Sequence, residues 1–311
     1  MKSNYFIVSK PLRYLNIKNI PGFEEIPSKR LIIVDQFNKA DEFYKNVCLY
    51  EKCWEKVYFV SSVNKVYLLL LFKRIKALYI FVDCSIIIGI LYLIHRMEVV
   101  LLEEGIATYF PEVFKAPKQR TFIRKFLHVG DVLGSSDFTS KIYVYFPKVF
   151  LSNTIVKCDV CSFEKNMLQF IVQNKEEFLK LFSCEYYKEL PFSSKVLLYI
   201  TEWNIDSKIL TFIEEHSNEF DYVWIKPHPH HKQVSAKIPS SVTILGGNIM
   251  AEFLISELIS RGNEVTICHC GSTSVIYFMD KIKSILFESV DSANFEWQSK
   301  YNTLVHEISL N

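Results

Sequence analysis

Val99-Val100-Leu101-Leu102-Glu103-Glu104-Gly105 is an unbroken apolar run that ends in two adjacent carboxylates and a glycine. A strand with one wet face alternates; this one does not, so it reads as a parallel strand covered on both faces by helices. The pattern recurs upstream. Leu31-Ile32-Ile33-Val34 ends at Asp35, Val57-Tyr58-Phe59-Val60 ends at Ser61-Ser62, and Leu78-Tyr79-Ile80-Phe81-Val82 ends at Asp83. Tyr5-Phe6-Ile7-Val8 opens the series and runs into Ser9-Lys10-Pro11, where proline is placed to begin a helix. Residues 41–49 read as a helix between two of these strands.

The alternation resumes further along. Val196-Leu197-Leu198-Tyr199-Ile200 ends at Thr201-Glu202, and Tyr222-Val223-Trp224-Ile225 ends at Lys226-Pro227-His228-Pro229. Val242-Thr243-Ile244-Leu245 leads to Gly246-Gly247, and Val265-Thr266-Ile267 precedes Gly271-Ser272-Thr273-Ser274. Ser284-Ile285-Leu286-Phe287 reads as a last strand, and residues 208–216 and 249–259 as helices. The expectation is α/β: a Rossmann-like domain over 1–155, a second over 156–290 and a helical tail over 291–311.

Composition agrees. A length of 311 residues suits two domains, and half the chain is hydrophobic, enough for sizeable cores. Lys and Arg number 36 against 34 Asp and Glu, too even for a general nucleic-acid binder. The basic stretch Lys115, Lys118, Arg120, Arg124 and Lys125, with Phe122 and Phe126 between, is either a solvated helix face or a surface for phosphates or anionic lipid. The longest apolar stretch, residues 81–94, is too short to span a bilayer and reads as a buried helix or strand. Met1-Lys2-Ser3-Asn4 carries no secretory pattern, so the eight cysteines are expected as reduced thiols in a cytosolic protein. Cys158-Asp159-Val160-Cys161 is a CxxC without a matching second pair, and no zinc is expected there.

Three strand ends carry chemistry. Glu103-Glu104-Gly105 could supply a general base, since like charges that close raise one pKa; it could equally be a surface pair. In Lys226-Pro227-His228-Pro229-His230-His231 the prolines limit the freedom of His228, which could bind a phosphate and protonate a leaving group. A metal cluster or a rigid surface loop are the other readings of that segment. Gly271-Ser272-Thr273-Ser274 places hydroxyls and backbone N–H groups at a helix start, for an anion or for capping alone. Cys268-His269-Cys270 just before it could join His228 around a metal, although successive strand residues point to opposite faces.

Together and in order, the three ends resemble those of bacterial sialyltransferases of the GT-B type, two Rossmann-like domains facing across a cleft. They most resemble the lipooligosaccharide sialyltransferase family, glycosyltransferase family 52, with motifs shared by capsular polysialyltransferases and Pasteurella-type sialyltransferases. The opening segment with Ser9-Lys10-Pro11-Leu12 is also similar, with Arg13 where the family often has Gln. The resemblance implies Glu103 as general base with Glu104 as fallback, and His228 as phosphate ligand and acid. It implies Ser272, Thr273 and Ser274 as phosphate ligands, and Glu252, near a helix start, on the cytidine ribose. Glu202 and Asp206 match a base placed nearer the His-Pro motif in the lipooligosaccharide family.

The implied activity is inverting transfer from CMP-sialic acid to a terminal galactose or related sugar of lipooligosaccharide, O-antigen or capsule. No cofactor or metal is expected, because one phosphate can be neutralised by a His, hydroxyls and a helix N-terminus. The alternatives are transfer of another CMP-activated sugar, such as Kdo or another nonulosonic acid, and a non-enzymatic, metal-stabilised interaction protein. The expected partners are a CMP-sugar donor and a glycan or glycolipid acceptor, with no nucleic acid. A homodimer and peripheral contact with the inner face of the bacterial inner membrane are compatible with this reading.

Overall fold

The computed structural model describes residues 2–110, 121–154, 156–183, 189–201, 205–228, 238–239, 242–246, 249–287, 301–302 and 304–308. The chain divides into two compact units, residues 1–165 with Asn311, and residues 166–310.

In the first unit strands and helices alternate: β1 (Ser3–Val8), α1 (Pro11–Lys18), β2 (Lys29–Val34), α2 (Ala40–Tyr50), β3 (Lys56–Val60), α3 (Val63–Leu71), β4 (Ile75–Ile80), α4 (Ile86–His95) and β5 (Glu98–Leu102). α5 (Thr121–Phe126), β6 (Thr139–Val144), α6 (Pro147–Asn153) and β7 (Asp159–Ser162) follow. The seven strands form one parallel sheet in the order β3-β2-β1-β4-β5-β6-β7. β2, β4 and β5 are almost wholly buried, as their unbroken apolar runs require. An aromatic cluster fills one side of the core: the Phe6 ring stacks on Tyr79 at 4.1 Å and meets Trp54 and Phe23 edge-on. β6 and β7 extend the sheet past the strands expected from sequence, and β7 lies beyond residue 155.

The second unit begins with α7 (Met167–Gln173) and α8 (Lys175–Leu181), then β8 (Lys195–Ile200), α9 (Ser207–His216), β9 (Tyr222–Lys226), β10 (Thr243–Ile244), α10 (Ala251–Ser260), β11 (Glu264–His269), α11 (Thr273–Ile276) and β12 (Lys283–Leu286). Its five strands are parallel in the order β10-β9-β8-β11-β12. Leu197, Tyr199, Ile209, Ile213, Val223 and Ile225 build the core between β8, β9 and α9. In the tail, residues 301–302 and 304–308 are helical.

Both sheets start in the middle, grow one way for three strands and then cross back. The order therefore reverses between β1 and β4 in the first unit and between β8 and β11 in the second. Open α/β sheets bind ligands beyond the carboxyl ends of their strands at that reversal. Among the described residues, no helix is long and apolar enough to cross a membrane.

Candidate functional site

In the first unit the chain turns at the end of β1 through Ser9 and Lys10, and Pro11 opens α1. One turn later Arg13 reaches back over the reversal. Its Nη1 donates to Ser9 Oγ at 2.7 Å, its Nη2 to Glu104 Oε1, and its guanidinium lies 4.4 Å from the centre of the Phe81 ring. Lys10 Nζ donates to the same Glu104 oxygen at 3.0 Å. Burial pushes the Glu104 carboxyl up, but the charges of Arg13 and Lys10 and their hydrogen bonds outweigh it and leave the group below its ordinary pKa. Glu104 is thus an ionised carboxylate whose side chain is 13% exposed.

Glu103 is placed differently. It is fully buried. Its Oε2 accepts from Tyr109 Oη at 2.5 Å and from the Tyr145 backbone N–H at 2.8 Å. Burial first, then the Glu103 charge and hydrogen bond, hold the Tyr109 hydroxyl protonated well above its usual range. Asn16 clamps the same place, donating to the Glu103 carbonyl at 2.7 Å and accepting from Tyr145 Oη at 3.0 Å. Gly105 makes the turn that follows the two carboxylates. Its φ of 97° with ψ of −155° is a region open only to glycine.

In the second unit, Thr201 follows the end of β8 and its Oγ1 accepts from the His228 backbone N–H at 2.9 Å, which ties the histidine loop to the end of the neighbouring strand. Lys226, the last residue of β9, is buried and donates to the Pro227 carbonyl at 2.5 Å. Burial pulls its pKa down to about 8, opposed by the charge of Glu252. Glu252 lies in the first turn of α10 and accepts from Ser274 Oγ at 2.8 Å. Asp206 is the N-cap of α9, accepting from the Lys208 N–H at 2.8 Å. Glu202, His230 and His231 lie outside the described residues.

Ser272 occupies the N-cap position of α11 but makes no side-chain cap bond, so capping does not consume its hydroxyl. Ser272 and Thr273 are half-buried, and Ser274 is buried. Another side chain holds the turn. His269, fully buried at the end of β11, accepts at Nδ1 from the N–H groups of Gly271, at 3.0 Å, and Ser272, at 3.1 Å. Nδ1 therefore carries no proton, and Nε2 donates to Ser284 Oγ at 2.8 Å. Burial lowers the His269 pKa to about 4. From sequence, His269 was visible only as the centre of Cys268-His269-Cys270. The signal was there: a histidine on the last residue of a strand, two positions before the glycine of a hydroxyl-rich turn. Cys268 and Cys270 are both buried, and among the described residues no group of three or more His, Cys, Asp or Glu is placed to hold a metal ion.

Comparison with known families decides the kinship. The family model for alpha-2,8-polysialyltransferase (POLYST) matches residues 4–290. The chain belongs to the alpha-2,8-polysialyltransferase family. The match falls on this family and not specifically on the lipooligosaccharide sialyltransferases, which the motifs had most resembled. No curated protein matches the chain. Among solved structures, UDP-GlcNAc 2-epimerase from Neisseria meningitidis bound to UDP-GlcNAc superposes with a TM-score of 0.57 at 11% identity, covering 99% of this chain and 91% of that one. UGT89C1 of Arabidopsis thaliana, complexed with UDP, gives 0.58 at 10% identity, covering 97% and 83%. At such identities the likeness is one of fold. It bears out the GT-B-like class: two α/β, Rossmann-like units built on parallel sheets. Polysialyltransferase family and GT-B fold together make the chain a sialyltransferase-type glycosyltransferase.

Proposed function

We propose that the chain transfers a sialyl residue from CMP-sialic acid to a hydroxyl of a bacterial surface glycan, inverting the anomeric carbon. The carrying observation is the cluster at the reversal of the second sheet. Lys226 and His228 at the end of β9, Glu252 in the first turn of α10 and the Ser272-Thr273-Ser274 turn after β11 come together, Glu252 bonded to Ser274 and opposing the burial shift of Lys226, in a member of the polysialyltransferase family.

In this reading Ser272 and Thr273, with the Ser274 end of the turn, receive the CMP phosphate, and Glu252 meets the ribose hydroxyls. His228 contacts the phosphate and donates a proton as the bond from the anomeric carbon to the phosphate oxygen breaks. A new bond forms from the acceptor oxygen to that carbon on the opposite side, and the acceptor proton passes to a carboxylate base. No metal is required for this grip.

Burial favours Glu104 as the carboxylate that meets the acceptor. Glu103 is sealed and its Oε2 already accepts two hydrogen bonds, which suits it to hold the Glu104 turn. Lys10 and Arg13 keep Glu104 ionised in the free protein. An anionic sugar that draws Lys10 away would raise the basicity of Glu104 when an acceptor is bound. The family name favours the sialic acid end of a growing chain as acceptor over a terminal galactose.

The test is CMP release and product mass with CMP-sialic acid and either an oligosialic acid or a galactose-terminated oligosaccharide. Extension of the sialic acid primer is expected. Extension of galactose alone would change the acceptor assignment. No CMP release above background with either would overturn the reading, and turnover with CMP-Kdo instead would move the donor.

A further inference from the structure

The peptide bond between Glu103 and Glu104 leaves the first sheet, and side chains bond both of its polar atoms. β5 pairs Leu102 with Tyr143, and the Glu103 N–H still reaches the Tyr143 carbonyl at 2.9 Å. In a parallel ladder the next donor, the Tyr145 N–H, would go to the Glu103 carbonyl. The Glu103 carboxylate takes that donor instead, at 2.8 Å. The carbonyl is left to Asn16, whose Nδ2 donates to it at 2.7 Å. On the other side of the same peptide, the Glu104 N–H donates to Thr108 Oγ1 at 2.8 Å.

Asn16 and Thr108 are both fully buried. Asn16 comes from α1, and Thr108 from the short helical turn Ile106–Tyr109 that Gly105 begins. That turn also supplies Tyr109, whose hydroxyl binds the Glu103 carboxylate. Asn16 is itself held: its Oδ1 accepts from the Tyr145 hydroxyl at 3.0 Å, and the centres of the Tyr145 and Phe163 rings are 4.4 Å apart. A donor on the carbonyl and an acceptor on the N–H together fix the plane of a peptide unit. That plane sets where the Glu104 Cα–Cβ bond points, and so where Arg13 and Lys10 meet the carboxylate.

We infer that Asn16 and Thr108 are positioning residues for Glu104, holding the 103–104 peptide plane so that the carboxylate meets the acceptor hydroxyl. This role rests on the transfer reading, in which Glu104 takes the acceptor proton. Proton transfer works only over a narrow range of distance and angle, and a misplacement of about 1 Å costs up to about 10² in rate. A carboxylate on a strand-end turn needs that precision from its backbone, because its own side chain has free torsions to lose. Two buried side chains on one peptide supply it.

The test is Thr108→Val, which keeps the shape and removes the acceptor, made in the full chain with and without Glu104→Gln. Thr108→Val alone is expected to lower kcat for transfer from CMP-sialic acid about tenfold with the donor KM unchanged. Thr108→Ser, which restores the hydroxyl, is expected to recover to within about twofold. On top of Glu104→Gln, Thr108→Val is expected to cost less than about twofold, because both act through one group. A tenfold loss in both backgrounds, or no loss in either, would overturn the inference. A second readout needs no turnover: NMR titration of the Glu104 carboxyl carbon, assigned by its disappearance in Glu104→Gln. The Glu104 pKa is expected to rise in Thr108→Val as the carboxylate leaves Arg13 and Lys10, and to stay low in Thr108→Ser. An unmoved titration in Thr108→Val would overturn the inference. A wild-type chain that releases no CMP, with the titration moving as expected, would remove the transfer reading and still support the positioning of Glu104.

Discussion

The two sheets share one strand order, yet the chemistry built at their reversals is opposite. In the first unit every charge is answered: Glu104 by Arg13 and Lys10, Glu103 by the Tyr109 hydroxyl and the Tyr145 N–H. In the second unit the cluster is hydroxyls, a buried lysine with a pKa near 8 opposed by the charge of Glu252, and a neutral His269 that holds backbone N–H groups in place. In the proposed reaction the first arrangement supplies a carboxylate and the second receives the phosphate. One fold supports both because the strands fix only where the loops begin.

The contrast can be broken most forcefully at His228. His228→Ala is expected to lower kcat/KM for CMP-sialic acid by about 10²–10⁴ in a CMP-release assay, since in the proposed reaction it contacts the phosphate and donates the proton. Unchanged kinetics would take the histidine out of the reaction.

Glu104→Gln is expected to cost about 10²–10³ in kcat with the donor KM unchanged. Glu103→Gln is expected to act on stability instead, by about 1–3 kcal/mol, because the amide turns a donor toward groups that themselves donate. If Glu103→Gln has the larger kinetic effect while the melting temperature holds, the assignment by burial is reversed.

His269 separates the units by pH. Its folded pKa, about 4, lies below the unfolded value of 6.5. Between these values the unfolded chain binds a proton that the folded chain excludes, so stability falls as pH drops through that window. The loss approaches roughly 3 kcal/mol by pH 4. Urea midpoints at pH 7 and pH 4.5 for wild type and His269→Gln check this, and an equally steep acid loss in the variant would point to other groups.

The last effect concerns the backbone. Gly105→Ala is expected to destabilise the first unit by about 1–3 kcal/mol, because its φ of 97° suits no other residue. A neutral result in thermal melts would mean that the carboxylate turn can relax.

Much of this was legible before any coordinates. Mostly apolar runs identified β2, β4, β5, β8 and β11, because burial on both faces leaves few polar positions. β6 and β7 were missed because their runs are broken: β6 exposes Lys141, and β7, the edge strand, carries Asp159. Residues 81–94 read as buried from hydropathy alone, but α4 exposes Ile87, Ile90 and Ile94; hydropathy does not say which side of a helix meets solvent. The choice between Glu103 and Glu104 could not be made from sequence. Neighbours at a strand end point opposite ways, and only the positions of Arg13, Tyr109 and Tyr145 tell which is sealed.

The most direct measurement is calorimetry of CMP binding, with EDTA present, on wild type, His228→Ala and Glu104→Gln. Micromolar binding by wild type is expected, lost in His228→Ala and kept in Glu104→Gln, because the proposed phosphate grip is built from residues of the second unit. No heat with wild type, or equal loss in both variants, would contradict the division of chemistry between the two sheets.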